Sequence, residues 1–214
     1  MTTDEHPWLR VAAAGPHDVP EVAALLSAAF ADDPVMTAFL GPGRDRERRL
    51  AGLYGAVLRS GPLASGAVDV VRDGSGRLLG AAVWEAPGRA MKLRDQLRQL
   101  PAFWRSVGPT GIVRALGNER VLGRYRPRPP HWYLMTIGVA PAARGLGAGS
   151  NLLRHRLSRI DAEGCPAYLE GSAPRNQALY ARWGFVRLGT IEGLPAGAAP
   201  VGMWRPAAAP GVGA

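Results

Sequence analysis

At 214 residues, with 47% hydrophobic and 20% charged residues, the chain suits one globular domain with a sizeable core. Its single cysteine, Cys165, excludes an internal disulfide, and no stretch reaches the ~20 uncharged apolar residues that a membrane helix needs. The net charge of +9 raises nucleic acid as a partner, yet residues 86–128 carry ten basic residues and two acids, +8 of that total. Charge confined to one segment argues against a nucleic-acid-binding face.

In chain order, a short strand is predicted over residues 9–13. A helix follows: Asp18 caps it, Pro20 fits its first turn and Glu21 holds the capping-box position. Val22, Leu25, Leu26, Ala29 and Phe30 recur at helical spacing, and Asp33-Pro34 ends the helix, because the residue before proline is pushed out of helical geometry. A second helix is read over residues 44–59. Residues 68–71 and 78–85, joined by Asp73-Gly74-Ser75-Gly76, form a β-hairpin.

Residues 86–128 read as a helical, basic insert interrupted at Pro101, Gly108-Pro109 and Gly117. Residues 131–139 are an almost unbroken apolar run, the pattern of a central strand covered on both faces. A helix is expected over residues 145–163, with Leu146 inward and Arg156 outward, then a strand over 166–170. Pro174 opens another helix, which Gly184 stops. Residues 185–191 and 201–204 close the chain as an antiparallel hairpin. This is an α+β order, with an ordered core over residues 8–206 and a flexible tail at 207–214. Asp4 and Glu5 stand where a signal peptide carries its basic region, so no leader is read and a cytoplasmic place is expected.

The chemistry is carried by Val139-Ala-Pro141-Ala-Ala-Arg144-Gly145-Leu146-Gly147-Ala148-Gly149-Ser150. Glycines where a strand becomes a helix let an anion approach the main chain, and helix N-termini present unsatisfied N–H groups to it. Arg144 adds a bidentate donor. A P-loop would need Gly-Lys-Ser/Thr, where this chain has Gly149-Ser150-Asn151. A dinucleotide fingerprint would need glycine at Ser150 or Leu152. Neither pattern fits.

What remains, Val139-x-Pro141-x-x-Arg144-Gly145-x-Gly147-x-Gly149, resembles the acetyl-coenzyme A motif of the GNAT superfamily of N-acetyltransferases. Tyr168-Leu-Glu170, Asn176 and Tyr180-Ala-Arg-Trp-Gly184-Phe185 resemble its second block. Phe30-Ala-Asp-Asp-Pro34, Ala82-Val-Trp84, His131-Trp132 and Ser172-Ala-Pro174-Arg175-Asn176 are similar to the puromycin N-acetyltransferases and their relatives.

The resemblance implies a mixed, mostly antiparallel sheet with a splayed central parallel strand pair, flanked by helices. It also implies direct attack of an amine on the thioester of acetyl-CoA. The acceptor expected is a small-molecule amine, antibiotic-like ones included. A protein N-terminus or lysine is the alternative, and a non-catalytic coenzyme-sensing or nucleic-acid-binding module is a third reading. No metal set is read, and a monomer or homodimer is expected.

Tyr180 then stands near the departing sulfur, or packs on Trp183 and Phe185. Glu170 serves as a base through water, or only orients the acceptor. Ile137 and Val139 hold the pantetheine arm through backbone groups, and Gly138 lets the strand splay. Arg144, Gly145, Leu146, Gly147, Ala148, Gly149 and Ser150 hold the pyrophosphate, while Asn176 bonds the arm or caps its helix. Phe30, Asp32, Asp33, Trp84, Glu85 and Trp132 are expected in the acceptor pocket, where acids and aromatics suit a cationic amine.

Overall fold

The computed structural model describes residues 8–41, 43–88, 93–195 and 197–208, so most of the expected tail lies outside the described residues. Its strands are β1 (Arg10–Ala13), β2 (Val68–Arg72), β3 (Leu78–Glu85), β4 (Trp132–Val139), β5 (Ala167–Gly171), β6 (Val186–Thr190) and β7 (Val201–Arg205). They form one seven-stranded sheet in the order β1-β2-β3-β4-β5-β7-β6. Only β4 and β5 pair in parallel.

That parallel pair positions the site. It is hydrogen-bonded only where Trp132, Tyr133 and Leu134 face Ala167, Tyr168 and Leu169, although β4 runs on to Val139. On the other edge of β4, Thr136 opposes Val83 and Leu134 opposes Trp84, which leaves Met135 as an extra residue. A bulge bends the strand that carries it. The two central strands therefore part at Met135, and a cleft opens between them.

Helices α1 (Val19–Ala29) and α3 (Arg46–Arg59) pack on one face of the sheet, and α5 (Ala148–Ala162) packs on the other. Gly138 serves this packing: a Cβ there would come within 2.8 Å of Leu26 and 3.1 Å of Ala29. The splay belongs to the bulge, and Gly138 admits α1. Among the described residues no single helix is long and apolar enough to cross a membrane.

Three helical details depart from expectation. Asp33-Pro34 ends α1 but also starts α2 (Pro34–Leu40), because Asp33 accepts the Met36 N–H at 2.9 Å and Pro34 fits the first turn. The basic segment forms α4 (Leu93–Tyr125), broken at Gly108 (φ 69°, ψ 177°) and not at Pro101 or Gly117. Helix α5 starts at Ala148; Leu146 before it is exposed, while Arg156 turns inward and grips the buried Asp69 of β2. The chain closes with α6 (Pro174–Arg182) and the β6–β7 pair.

Candidate active site

Past Val139, a 3₁₀ turn spans Pro141–Ala143, and Gly147 is the N-cap of α5. Gly145 (φ 82°) and Gly147 (φ 76°) are both left-handed, a conformation that side chains enter only with strain. A Cβ on Gly145 would meet nothing within 4 Å, so the space over the turn is open. The first amides of a helix lack partners inside it, so those of Ala148, Gly149 and Ser150 are available to an anion. Arg144, Gly145 and Leu146 are exposed beside them. The turn suits a pyrophosphate, with the exposed Arg144 as a cationic partner beside it.

A cavity of about 590 Å³ occupies the cleft where β4 leaves β5. Tyr133, Met135 and Ile137 of β4 line it with Glu170 of β5. Ser172, Asn176 and Tyr180 approach from the β5–α6 side. Phe30, Asp33, Met36 and Phe39 come from α2 and the turn before it, and Leu53, Tyr54 and Val57 from α3. Helix α4 supplies a further wall through Phe103, Val107, Ile112, Ala115, Leu116 and Glu119. The walls are apolar, whereas the Tyr133 end holds the carboxyls Glu85, Glu119 and Glu170 together with Arg126.

The structure thus gathers Phe30, Asp33, Glu85, Ile137, Glu170, Asn176 and Tyr180 around one space. Three expected pocket residues fall outside its lining. Asp32 is exposed on the surface. Trp84 is fully buried in the core under α5, and Trp132 packs in that same core while its indole N–H donates to Glu163 at 2.8 Å. Side chains alternate along a strand, so Glu85 and Tyr133 face the cavity while Trp84 and Trp132 face away. Val139 packs against the α5 core through its side chain.

Electrostatics distinguishes the polar groups. The Tyr133 phenol donates to Glu170 at 2.5 Å, and the Arg126 guanidinium lies 3.8 Å from the other carboxylate oxygen, Oε1. That oxygen is buried and has no hydrogen-bond partner among the described residues. Burial pushes the Glu170 carboxyl above the ordinary range, against the opposing pull of Tyr133 and Arg126. Burial likewise raises Glu85 and Glu119. Tyr180 is pushed well above an ordinary phenol, first by burial and then by the charge of Asp33, so it stays a neutral donor. Its ring also meets Phe185 edge-on at 6.1 Å, so its packing and cavity-facing roles coexist. Asp33 is already engaged: one oxygen caps α2 and the other accepts the Ser172 hydroxyl at 2.7 Å.

Comparison with known proteins agrees with this geometry. The acetyltransferase (GNAT) family model matches residues 81–185. A Corynebacterium glutamicum crystal structure, described as histone acetyltransferase HPA2 and related acetyltransferase, aligns with a TM-score of 0.73 at 30% identity, covering 95% of this chain and 99% of that one. The chain belongs to the GNAT family of acetyltransferases. An uncharacterized N-acetyltransferase of Schizosaccharomyces pombe is 25% identical to it over 190 residues, 79% of this chain and 71% of that protein. A polyamine N-acetyltransferase of Drosophila melanogaster shares the fold, with a TM-score of 0.54 at 17% identity and coverage of 92% and 98%. As a GNAT N-acetyltransferase, the protein takes its acyl group from acetyl-CoA. These relatives establish the superfamily; the narrower likeness to puromycin N-acetyltransferases rests on sequence motifs alone.

Sequence pattern alone does not single out several of the residues that line this cavity. Tyr133 sits in the apolar run, where its alternation with Trp132 was the available signal. Arg126 belongs to Arg126-Pro-Arg-Pro-Pro130, which reads as a helix terminator. Glu119 is an isolated acid within a basic helix.

Proposed function

We propose that this GNAT enzyme acetylates the primary amine of a small molecule with an apolar body. The amine nitrogen attacks the thioester carbonyl carbon, an N–C bond forms, and the C–S bond breaks. Glu170 takes the amine proton through water and passes it to solvent, and its burial-raised carboxyl suits that work. Tyr180 donates a hydrogen bond to the departing sulfur. Being a weaker acid than an ordinary phenol, it stabilises the thiolate and leaves the thiol proton to come from solvent. The pyrophosphate lies on Arg144 and residues 145–150, and the pantetheine arm runs past Val139, Ile137 and Asn176.

The observation that supports this reading is the cavity itself: apolar walls from α2, α3 and α4, with carboxyls at one end. Such a space suits a cationic head on an apolar body. The Drosophila neighbour acts on polyamines, which are small amines too. The half-buried Cys165 is consistent with a reducing cytoplasm.

Free thiol release from acetyl-CoA, followed across a panel of amines and peptides, tests the proposal. Turnover is expected with primary amines bearing aromatic or aliphatic bodies, well above that with lysine peptides or N-terminal peptides. Preference for the peptides would transfer the protein to the protein-acetyltransferase reading.

A further inference from the structure

We propose that Arg126, carried to the cavity by the end of α4, is a positioning residue that fixes Glu170 for proton transfer, with Glu119 as its electrostatic counterweight. This rests on the base role given to Glu170 above. Arg126 continues the last helical turn, its N–H bonding the Leu122 carbonyl at 3.1 Å. Its guanidinium stacks 3.9 Å from the Tyr133 ring centroid and reaches within 3.8 Å of Glu170. The same Tyr133 donates its phenol proton to Glu170 at 2.5 Å. One aromatic side chain is thus held by the cation on its face and holds the carboxylate with its hydroxyl. A planar guanidinium can stack and attract a carboxylate at once, and lysine reproduces only the charge.

The charged and titratable groups facing Glu170 are Tyr133 from β4, Tyr168 from β5, Glu119 from α4, and Arg126. Arg126 in turn faces Glu85 of β3 and Glu119 as well as Glu170. Arg126 favours the ionised form of Glu170, and Glu119 opposes it. Glu170 works as a base when ionised, so the acid limb of the kcat/KM profile follows its titration. Removing Arg126 moves that limb to higher pH, and neutralising Glu119 moves it to lower pH. The basic segment is therefore part of the catalytic apparatus through its final turn.

The test is the pH profile of kcat/KM, measured with the best amine of the panel, for wild type, Arg126→Gln, Arg126→Lys and Glu119→Gln. Arg126→Gln is expected to raise the acid limb by about one pH unit and to lower kcat/KM about tenfold below it. Arg126→Lys should recover part of that shift, and Glu119→Gln should lower the limb by a smaller amount. In a Glu170→Gln background neither change should move the profile. Unmoved limbs, shifts of the same sign, or shifts that persist without Glu170 would overturn the inference. A wild type that acetylates no amine would instead overturn the functional reading beneath it, so the two failures are distinct.

Discussion

Replacing Asp69 by alanine is expected to lower the free energy of unfolding by about 3–5 kcal/mol. Asp69 is fully buried on β2, and Arg156 of α5 is 3% exposed. Two hydrogen bonds of 2.8 and 2.7 Å join them, and a third ties Arg156 to the Gly66 carbonyl at 2.9 Å. His155 lies near the same carboxylate, at 3.8 Å. The pair anchors α5, and with it the glycine-rich turn at its start, to the sheet. Removal of Asp69 leaves a guanidinium buried without its counter-charge, and desolvation then acts unopposed. The double replacement Asp69→Leu with Arg156→Met removes both charges together and should be much milder. Urea unfolding of the three proteins checks this. A loss under about 1 kcal/mol in Asp69→Ala would show that the pair is not an anchor.

The second large effect falls on turnover. Tyr180→Phe should reduce kcat about 100-fold, the usual cost of removing one donor aimed at developing charge, with little change in KM for acetyl-CoA. The phenyl ring can keep the contact with Phe185, so stability should change little. Burial raises Tyr180 further above an ordinary phenol, so its hydroxyl keeps its proton. Steady-state kinetics with both substrates varied separates the outcomes: a large rise in coenzyme KM at unchanged kcat would make Tyr180 a binding residue only.

Much of this was legible in the sequence because local periodicity wrote it. The β2–β3 hairpin, the apolar run of β4, and the glycine turn into α5 follow from spacing and from residues that favour turns. The order β5-β7-β6 was not legible, since β7 inserts between strands by non-local pairing. In sequence Asp33-Pro34 signals only a stop, although the same pair caps α2. Helical spacing puts Arg156 on the solvent face, where long charged side chains ordinarily stay; its partner Asp69 lies 87 residues away. Residue type alone points Trp84 and Trp132 to a pocket, while the alternation that turns them from the cavity needs the register of β3 on β4. Helix α4 was legible as a helix and not as a wall, because what it packs against is set by the tertiary fold.

The central claim, that the acceptor amine occupies the cavity under α4, is tested most directly by filling that cavity. Ala115 lines it from α4. Ala115→Trp should bind acetyl-CoA as wild type does, by titration calorimetry, while acetylated product from the best amine falls at least about tenfold in mass-spectrometric assay. Undiminished product from a folded Ala115→Trp enzyme would place the acceptor elsewhere and contradict the account.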